Sequence, residues 1–185
     1  MVADQLGIAF YDKELIEKIA EETGFSKKFI EEYGEHAPGT NVFSYSFLGR
    51  DAMGVSMQDK IWMQQRKLIL DLAEKEPCVI VGRCADYILR DNPDCLSFFI
   101  HNNKENRIQR IIESQNLTVE QAEELMLKTD KSRAAYYNYY TNKEWGVAST
   151  YNFSIDVSVL GVDETVAFMK NFVERKMNKR PPHFG

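Results

Sequence analysis

Four short apolar stretches, spaced along the chain, have the length and composition of buried β-strands. They cover residues 8–11, 78–82, 96–101 and 153–157. The stretch CVIV at residues 78–81 is apolar at every position, which is typical of a strand covered on both faces in a parallel sheet. Between the strands, apolar residues recur at helical spacing, as at Leu15 and Ile19. This alternation predicts an α/β fold with a parallel sheet and right-handed crossovers.

Two of the intervening helices carry features that bear on the rest of the chain. Residues 56–76 have helical periodicity, and the polar Gln65 lies within their apolar stripe. Thr118 and Gln121 have the spacing of a capping box and open another helix. That helix continues into residues 129–145, a basic segment rich in tyrosine. We interpret most of these tyrosines as aromatics that pack between helices.

The chain length predicts a single domain with a buried hydrophobic core, which we place at residues 1–178. Periodicity is lost between residues 35 and 55, where aromatic side chains alternate with glycine and serine. Long loops in compact domains are usually lids, binding segments or disordered, and the aromatics favour a binding segment. Residues 179–185 contain two prolines and are expected to be a frayed tail.

The composition describes a soluble globular protein, with 28% charged and 44% hydrophobic residues. The net charge of −5 argues against general nucleic-acid binding, which requires a basic face. A small phosphorylated ligand is still allowed, because it needs only a few local cations. No apolar run has the length of a membrane span, and the N-terminus is not a signal peptide. We therefore expect neither a nucleic acid nor a membrane as a partner.

The cysteines indicate a reducing, cytoplasmic environment. Their number is odd, and Cys78, Cys84 and Cys95 have neither metal-ligand nor redox spacing. The three histidines are too far apart along the chain to suggest a metal cluster. The sequence therefore predicts no metal site formed by these residues.

Several cations lie at or just beyond the ends of predicted strands. Arg83 follows the second strand, at the edge of a parallel sheet where ligands usually bind; the alternative is an arginine that merely points into solvent. The others are Arg107 and Arg110, after the third strand, and Lys131 and Arg133, beside Asp130 in the tyrosine-rich segment. Singly, these helix residues are more simply explained as solvated charges. Together they favour a phosphate site, because phosphoryl transfer depends on positioning and charge neutralisation.

Four segments, in this order, resemble the cytidylate kinase-like family, a branch of the P-loop nucleoside monophosphate kinases. They are FYDKEL (10–15), CVIVGRCADYIL (78–89), DKSRAAYYNYYTNKEWG (130–146) and FSIDVSVLG (153–161). The resemblance covers nearly the whole chain. It implies a P-loop kinase-like fold, in which a three-layer parallel sheet has helices on both faces. It also implies phosphate transfer from ATP, with Mg²⁺, to a small acceptor such as a pyrimidine nucleoside monophosphate.

The resemblance also implies roles for individual residues. Substrate contacts are implied for Asp12, Arg83, Asp130 and Arg133, catalytic roles for Lys131 and Arg133, and donor-side contacts for Arg107 and Arg110. Residues 35–55 would be the mobile acceptor-binding insertion, and residues 129–146 a lid whose closure excludes water.

The chain departs from the family at one important point. P-loop kinases begin with a strand and a glycine-rich loop that wraps the donor phosphates, and no such loop occurs in these 185 residues. The absent strand would be the central one, between residues 78–82 and 96–101. Three explanations are compatible with this: an internal methionine of a longer protein, which we favour, a genuine remnant whose strands close up, or a strand supplied by a partner. The chain as given is expected to be inactive as a kinase.

The sequence therefore supports three hypotheses for the function. The leading one is a nucleotide kinase-like protein. The second is a non-catalytic module that senses a nucleotide or phosphate, and the third is an interaction domain whose open sheet edge recruits a strand. The identity of the acceptor and the oligomeric state stay open, with a homodimer among the assemblies considered.

Overall fold

Short strands alternate with helices in the computed structural model, which describes residues 1–24, 26–28, 30 and 57–178. The strands are β1 (Ala9–Tyr11), β2 (Cys78–Ile80), β3 (Phe98–His101) and β4 (Phe153–Asp156). The helices are α1 (Val2–Leu6), α2 (Lys13–Thr23), α3 (Met57–Lys75), α4 (Ala85–Ile88), α5 (Lys104–Gln115), α6 (Val119–Thr141) and α7 (Val157–Asn178). The predicted insertion at 35–55 and tail at 179–185 lie outside the described residues.

The four strands form two separate parallel pairs. β1 pairs with β2, with Tyr11 opposite Ile80, and β3 pairs with β4, with His101 opposite Asp156. Each pair is a sheet of its own, and no ladder joins β2 to β3 in the part of the chain described. The α/β class with parallel strands is confirmed, whereas a single three-layer sheet is not. The family resemblance implies an absent central strand between β2 and β3.

The main hydrophobic core lies beside the first pair of strands. α2 contributes Leu15 and Ile19, and α3 contributes Ile61 and Ile69, all of which are at most 1% exposed. Ile88 of α4 belongs to the same cluster of buried residues. Leu15 and Ile19 are four residues apart and Ile61 and Ile69 eight, spacings that place each pair on one face of its helix. Burial of this face holds α2, α3 and α4 against β1 and β2.

A second packing centre covers the other pair of strands. Phe98 of β3 stacks on Phe153 of β4, with ring centroids 5.0 Å apart. Phe172 of α7 meets the Phe153 ring edge-on at 4.3 Å. α1 packs against β1, β2 and α7 and so connects the two halves.

A helical hairpin formed by α5 and α6 follows β3. The Thr118 hydroxyl accepts a hydrogen bond from the Gln121 amide, and the Gln121 side chain accepts one from the Thr118 amide. This confirms the predicted capping box. The helix that it opens runs without interruption to Thr141, so the tyrosine-rich segment is largely helical. No helix in the described ranges is long and apolar enough to cross a membrane.

Replacing Ile69 with alanine is expected to destabilise the fold substantially. Ile69 is fully buried in the main core, and removing its side chain leaves a cavity that the surrounding helices fill only partly. We expect the free energy of unfolding to fall by about 2–5 kcal/mol, measured by urea denaturation. Met63→Ala on the same helix is the control, because Met63 is 53% exposed and should change stability by less than about 0.5 kcal/mol. Equal effects at the two positions would contradict the assignment of this core.

Candidate functional site

The turn after β2 has an unusual backbone. Gly82, Arg83 and Cys84 have φ angles of 70°, 55° and 54°, so three consecutive residues lie in the left-handed region. Glycine adopts this conformation freely, but it costs other L-residues roughly 1–2 kcal/mol each. Such strain persists only where the surroundings determine it, and it clusters at functional sites.

The carbonyl of the strained turn is held by a buried glutamine. Gln65 is 0% exposed, and its Nε2 donates hydrogen bonds to the Arg83 carbonyl at 3.1 Å and to the Tyr136 hydroxyl at 3.0 Å. Its Oε1 atom is buried and has no hydrogen-bond partner. Gln65 thereby connects α3, the turn after β2 and α6. The sequence marks it only as a polar residue within an apolar stripe, and its partners become visible only in three dimensions.

Arg83 is buried rather than solvated. Only 8% of the residue is exposed, so the alternative of an arginine that points into solvent is wrong. The Val81 amide donates to the Tyr11 carbonyl at 3.0 Å, which extends the β1–β2 pairing to the base of the turn. Asp12, which follows Tyr11, is therefore at the same edge as Arg83. Asp12 is exposed and occupies the N-cap position of α2, without a capping hydrogen bond from its side chain.

Aromatic side chains surround the turn and reach the second pair of strands. Cys84 is buried with Tyr136 and Tyr137 of α6. Partly buried rings pack against these three residues: Trp62, Tyr87, Tyr140, Trp145 and Tyr151. We call this set the aromatic cluster. Tyr151 also stacks on Phe99 of β3, with centroids 5.0 Å apart. The predicted role of the tyrosines in helix packing therefore holds for Tyr136 and Tyr137.

One tyrosine of the aromatic cluster is bonded to a carboxylate just beyond the turn. The Tyr137 hydroxyl donates to Asp86 Oδ2 at 2.6 Å. Burial, followed by this hydrogen bond, raises the pKa of Tyr137 far above its ordinary value. The hydrogen bond from Tyr137 to Asp86 attaches α4 to α6.

In the hairpin of α5 and α6, Arg107 contacts Asp130, although the resemblance implies a donor-side role for Arg107 and a substrate contact for Asp130. Arg107 of α5 donates from Nη1 and Nη2 to the two carboxylate oxygens of Asp130 on α6, at 2.8 and 2.7 Å. These hydrogen bonds raise the pKa of Arg107. The Asp130 carboxylate is therefore engaged by Arg107 in this structure. Such bidentate pairs fix the relative orientation of their two helices.

The remaining predicted cations lie at exposed positions of the hairpin. Arg110 is on α5, and Lys131 and Arg133 are on α6. They belong to different elements from the buried Arg83. The fold thus provides a buried cation at the sheet edge, Arg83, a paired cation on α5, Arg107, and three exposed cations on the hairpin helices.

A polar pair at the end of the second sheet was not foreseen from the sequence. His101 and Asp156 are partners in the last position of the β3–β4 register. The Ser158 amide donates to Asp156 Oδ1 at 2.8 Å, and bonds from Ser158 lower the pKa of Asp156. In the sequence, each of these polar residues stands at the end of a predicted strand. That position alone does not indicate a site, because the sequence does not show that the two strands pair.

A cleft of about 310 Å³ lies beside the amino ends of β3 and β4, and Asp86 of α4 also lines it. Ser97 and Asn152, which precede β3 and β4, line it together with the cations Arg90, Lys143 and Lys176. Lys176 Nζ already donates to the Pro93 carbonyl at 2.7 Å. Ligands of parallel sheets bind at the carboxyl ends of strands, so we place the candidate site at the Arg83 edge and not in this cleft. Nowhere in the described ranges do three histidine, cysteine or acidic side chains come together to hold a metal ion.

Comparisons with known proteins agree with this fold. The chain is similar to an uncharacterized protein from Eubacterium ventriosum of known crystal structure, with 27% sequence identity and a TM-score of 0.69. The match covers 94% of this chain and 86% of that chain. None of the curated proteins matches the sequence. The profile of the cytidylate kinase-like family matches residues 1–159, and the chain belongs to that family.

Proposed function

We propose that this protein binds a small nucleotide acceptor, such as a pyrimidine nucleoside monophosphate, with Arg83 as a contact for its phosphate. The observation that carries the proposal is a buried arginine in a strained turn at the carboxyl edge of parallel strands. Family membership supports a nucleotide kinase-like function. Guanidinium groups suit this task because they stay charged and donate in a planar fork to phosphate oxygens.

The other predicted residues take part in the same proposal. Asp12 stands at the Arg83 edge and would contact the acceptor. Lys131 and Arg133 would approach the bound nucleotide from α6, and Arg133 and Asp130 would contact the acceptor. Arg107 and Arg110 would face the donor side. Because Arg107 already holds Asp130, this ion pair would set how the hairpin presents its cations.

Kinases of this type generally use ATP and Mg²⁺, and this chain offers little that fits them. The sequence contains no glycine-rich loop to wrap the donor phosphates. The described residues contain no group of three acidic, histidine or cysteine side chains for a metal ion. We therefore derive no phosphoryl-transfer step, and we propose that the 185-residue chain binds its acceptor without turning it over. This is the behaviour of a nucleotide-sensing module.

Nucleotide binding should raise the melting temperature of the chain, and Arg83→Ala should abolish the rise. At about 100 times the dissociation constant, CMP or UMP would stabilise the fold by about 2.7 kcal/mol, or roughly 5–10 °C at this size. Arg133→Ala is expected to reduce the shift as well. A thermal-shift titration with CMP, UMP and inorganic phosphate measures this directly.

Arg66→Ala provides the matched control for these arginine variants. Arg66 is exposed on α3 and has no part in the proposed site, so its removal should leave the nucleotide-induced shift intact. A wild-type chain that responds to no nucleoside monophosphate would contradict the proposal. A shift that Arg66→Ala abolishes as completely as Arg83→Ala would contradict the role of Arg83.

The chain by itself should release no ADP from ATP, Mg²⁺ and CMP above the background rate. The reason is the absence of the backbone donors that a glycine-rich loop supplies to the donor phosphates. A coupled ADP-release assay measures this, with a nucleoside monophosphate kinase that has its loop as the positive control. Turnover that depends on CMP or UMP would show that another part of the chain binds the donor.

A second candidate function, recruitment of a strand, is favoured by the division of the sheet. β2 pairs only with β1, and β3 only with β4, among the residues described. Parallel sheets usually contain more strands and are covered on both sides, whereas Val81 and Ile100, at these edges, are 47% and 46% exposed. Unpaired strand edges present backbone donors and acceptors to other chains.

Strand recruitment predicts that the chain self-associates as its concentration rises. Size-exclusion chromatography with light scattering between micromolar and submillimolar concentrations would detect the larger species. Ile100→Lys should shift the distribution towards the monomer, because a charge at an open edge discourages pairing. Lys substitution at Val159, which is 74% exposed outside the strands, is the control. A monomer over the whole range would contradict this second function.

A further inference from the structure

We propose that Gln65 is a positioning residue, which holds Arg83 in its binding orientation through the Arg83 backbone carbonyl. The proposal rests on the function proposed above for Arg83. Gln65 belongs to α3, 18 residues before Arg83, and was not among the residues assigned to the site from the sequence.

The hydrogen-bond chemistry fixes the orientation of the Gln65 amide. The Arg83 carbonyl can only accept, so the group that faces it must be the amide nitrogen. The Tyr136 hydroxyl accepts from the second hydrogen of the same nitrogen, at 3.0 Å. Both hydrogens of Nε2 are thus used, whereas Oε1 is buried without a partner. The amide nitrogen therefore serves both the turn and the tyrosine, and the amide oxygen is left without a partner.

An apolar side chain would fit this position better if packing were the only requirement. The neighbouring positions on the same face of α3 are Ile61, Leu68, Ile69 and Leu72, all buried. A half-satisfied amide in such a setting is unfavourable compared with a hydrophobic residue of similar volume. The Gln65 amide bonds, however, to the turn at residues 82–84. In the described chain this is the one turn with three consecutive left-handed residues. The location of the bond therefore points to control of the turn.

Loss of this bond should loosen the turn locally. The Ala85 amide donates to the Gly82 carbonyl at 3.0 Å and so reports whether the turn is closed. In Gln65→Met, we expect hydrogen exchange of the Ala85 amide to accelerate by about tenfold, measured by NMR. The Val81 amide, bonded to Tyr11 in the strand, should exchange as in the wild type. Unchanged exchange at Ala85 would overturn the proposal.

Gln65→Met should also weaken nucleotide binding, and this effect should require the Arg83 side chain. We expect Gln65→Met to raise the dissociation constant for CMP by about tenfold, and to add no further loss when combined with Arg83→Ala. NMR titration measures these values, including the weak binding of the double variant. If Gln65→Met raised the dissociation constant for CMP by the same factor in the wild-type and the Arg83→Ala backgrounds, the role of Gln65 would be merely structural and the proposal would be overturned.

Two further variants complete the experiment. Leu72→Met changes a buried residue of the same helix face, two turns away from Gln65, and should affect neither readout. Gln65→Leu also removes the donating amide and places an apolar side chain on this buried face, so it should reproduce the effects of Gln65→Met and serves if the methionine variant does not fold. If the wild type binds neither CMP nor UMP, the proposed function fails, and the exchange rate at Ala85 still decides whether Gln65 holds the turn.

Discussion

The hydrogen bond from Gln65 to the Arg83 carbonyl is the contact on which the candidate site depends. It joins the buried face of α3 to a turn whose three consecutive left-handed residues are unfavourable on their own. Tyr136 and Tyr137 secure the same region from α6, through Gln65 and Asp86 respectively. Because these attachments come from α3 and α6, the turn is held in its left-handed conformation from two sides.

The division of the strands into two pairs is the second constraint. In a parallel sheet each interior strand needs a hydrogen-bonded neighbour on both sides, and among the residues described β1 pairs with β2 alone and β3 with β4 alone. The two pairs are connected by helices and rings: α1 contacts both β2 and α7, and Tyr151 links Phe99 to the aromatic cluster. In the described ranges, the association of the two pairs therefore depends on packing and not on a shared ladder.

Local signals in the sequence were sufficient for the elements but not for the site. All four strands, the capping box at Thr118 and the long α6 follow from apolar runs and capping residues, since these act over a few positions. The burial of Arg83 could not be predicted, because a Gly-Arg pair is also typical of an exposed turn. The Arg107–Asp130 pair joins residues 23 positions apart, and the hydrogen bond from Gln65 to Tyr136 joins residues 71 apart. Such contacts depend on tertiary packing, which no local pattern encodes.

The predicted cations differ in how far folding has already removed them from water. Only 8% of Arg83 is exposed, so little of its contact with water is left to lose on binding a ligand. Lys131 and Arg133 are exposed, and immobilising such side chains costs about 0.5–1.5 kcal/mol each on binding. With a net charge of −5, the protein as a whole does not attract an anion. Under the proposed function, affinity for a phosphorylated ligand must therefore come from local contacts that are ordered before binding, such as the buried Arg83 and the Arg107–Asp130 pair.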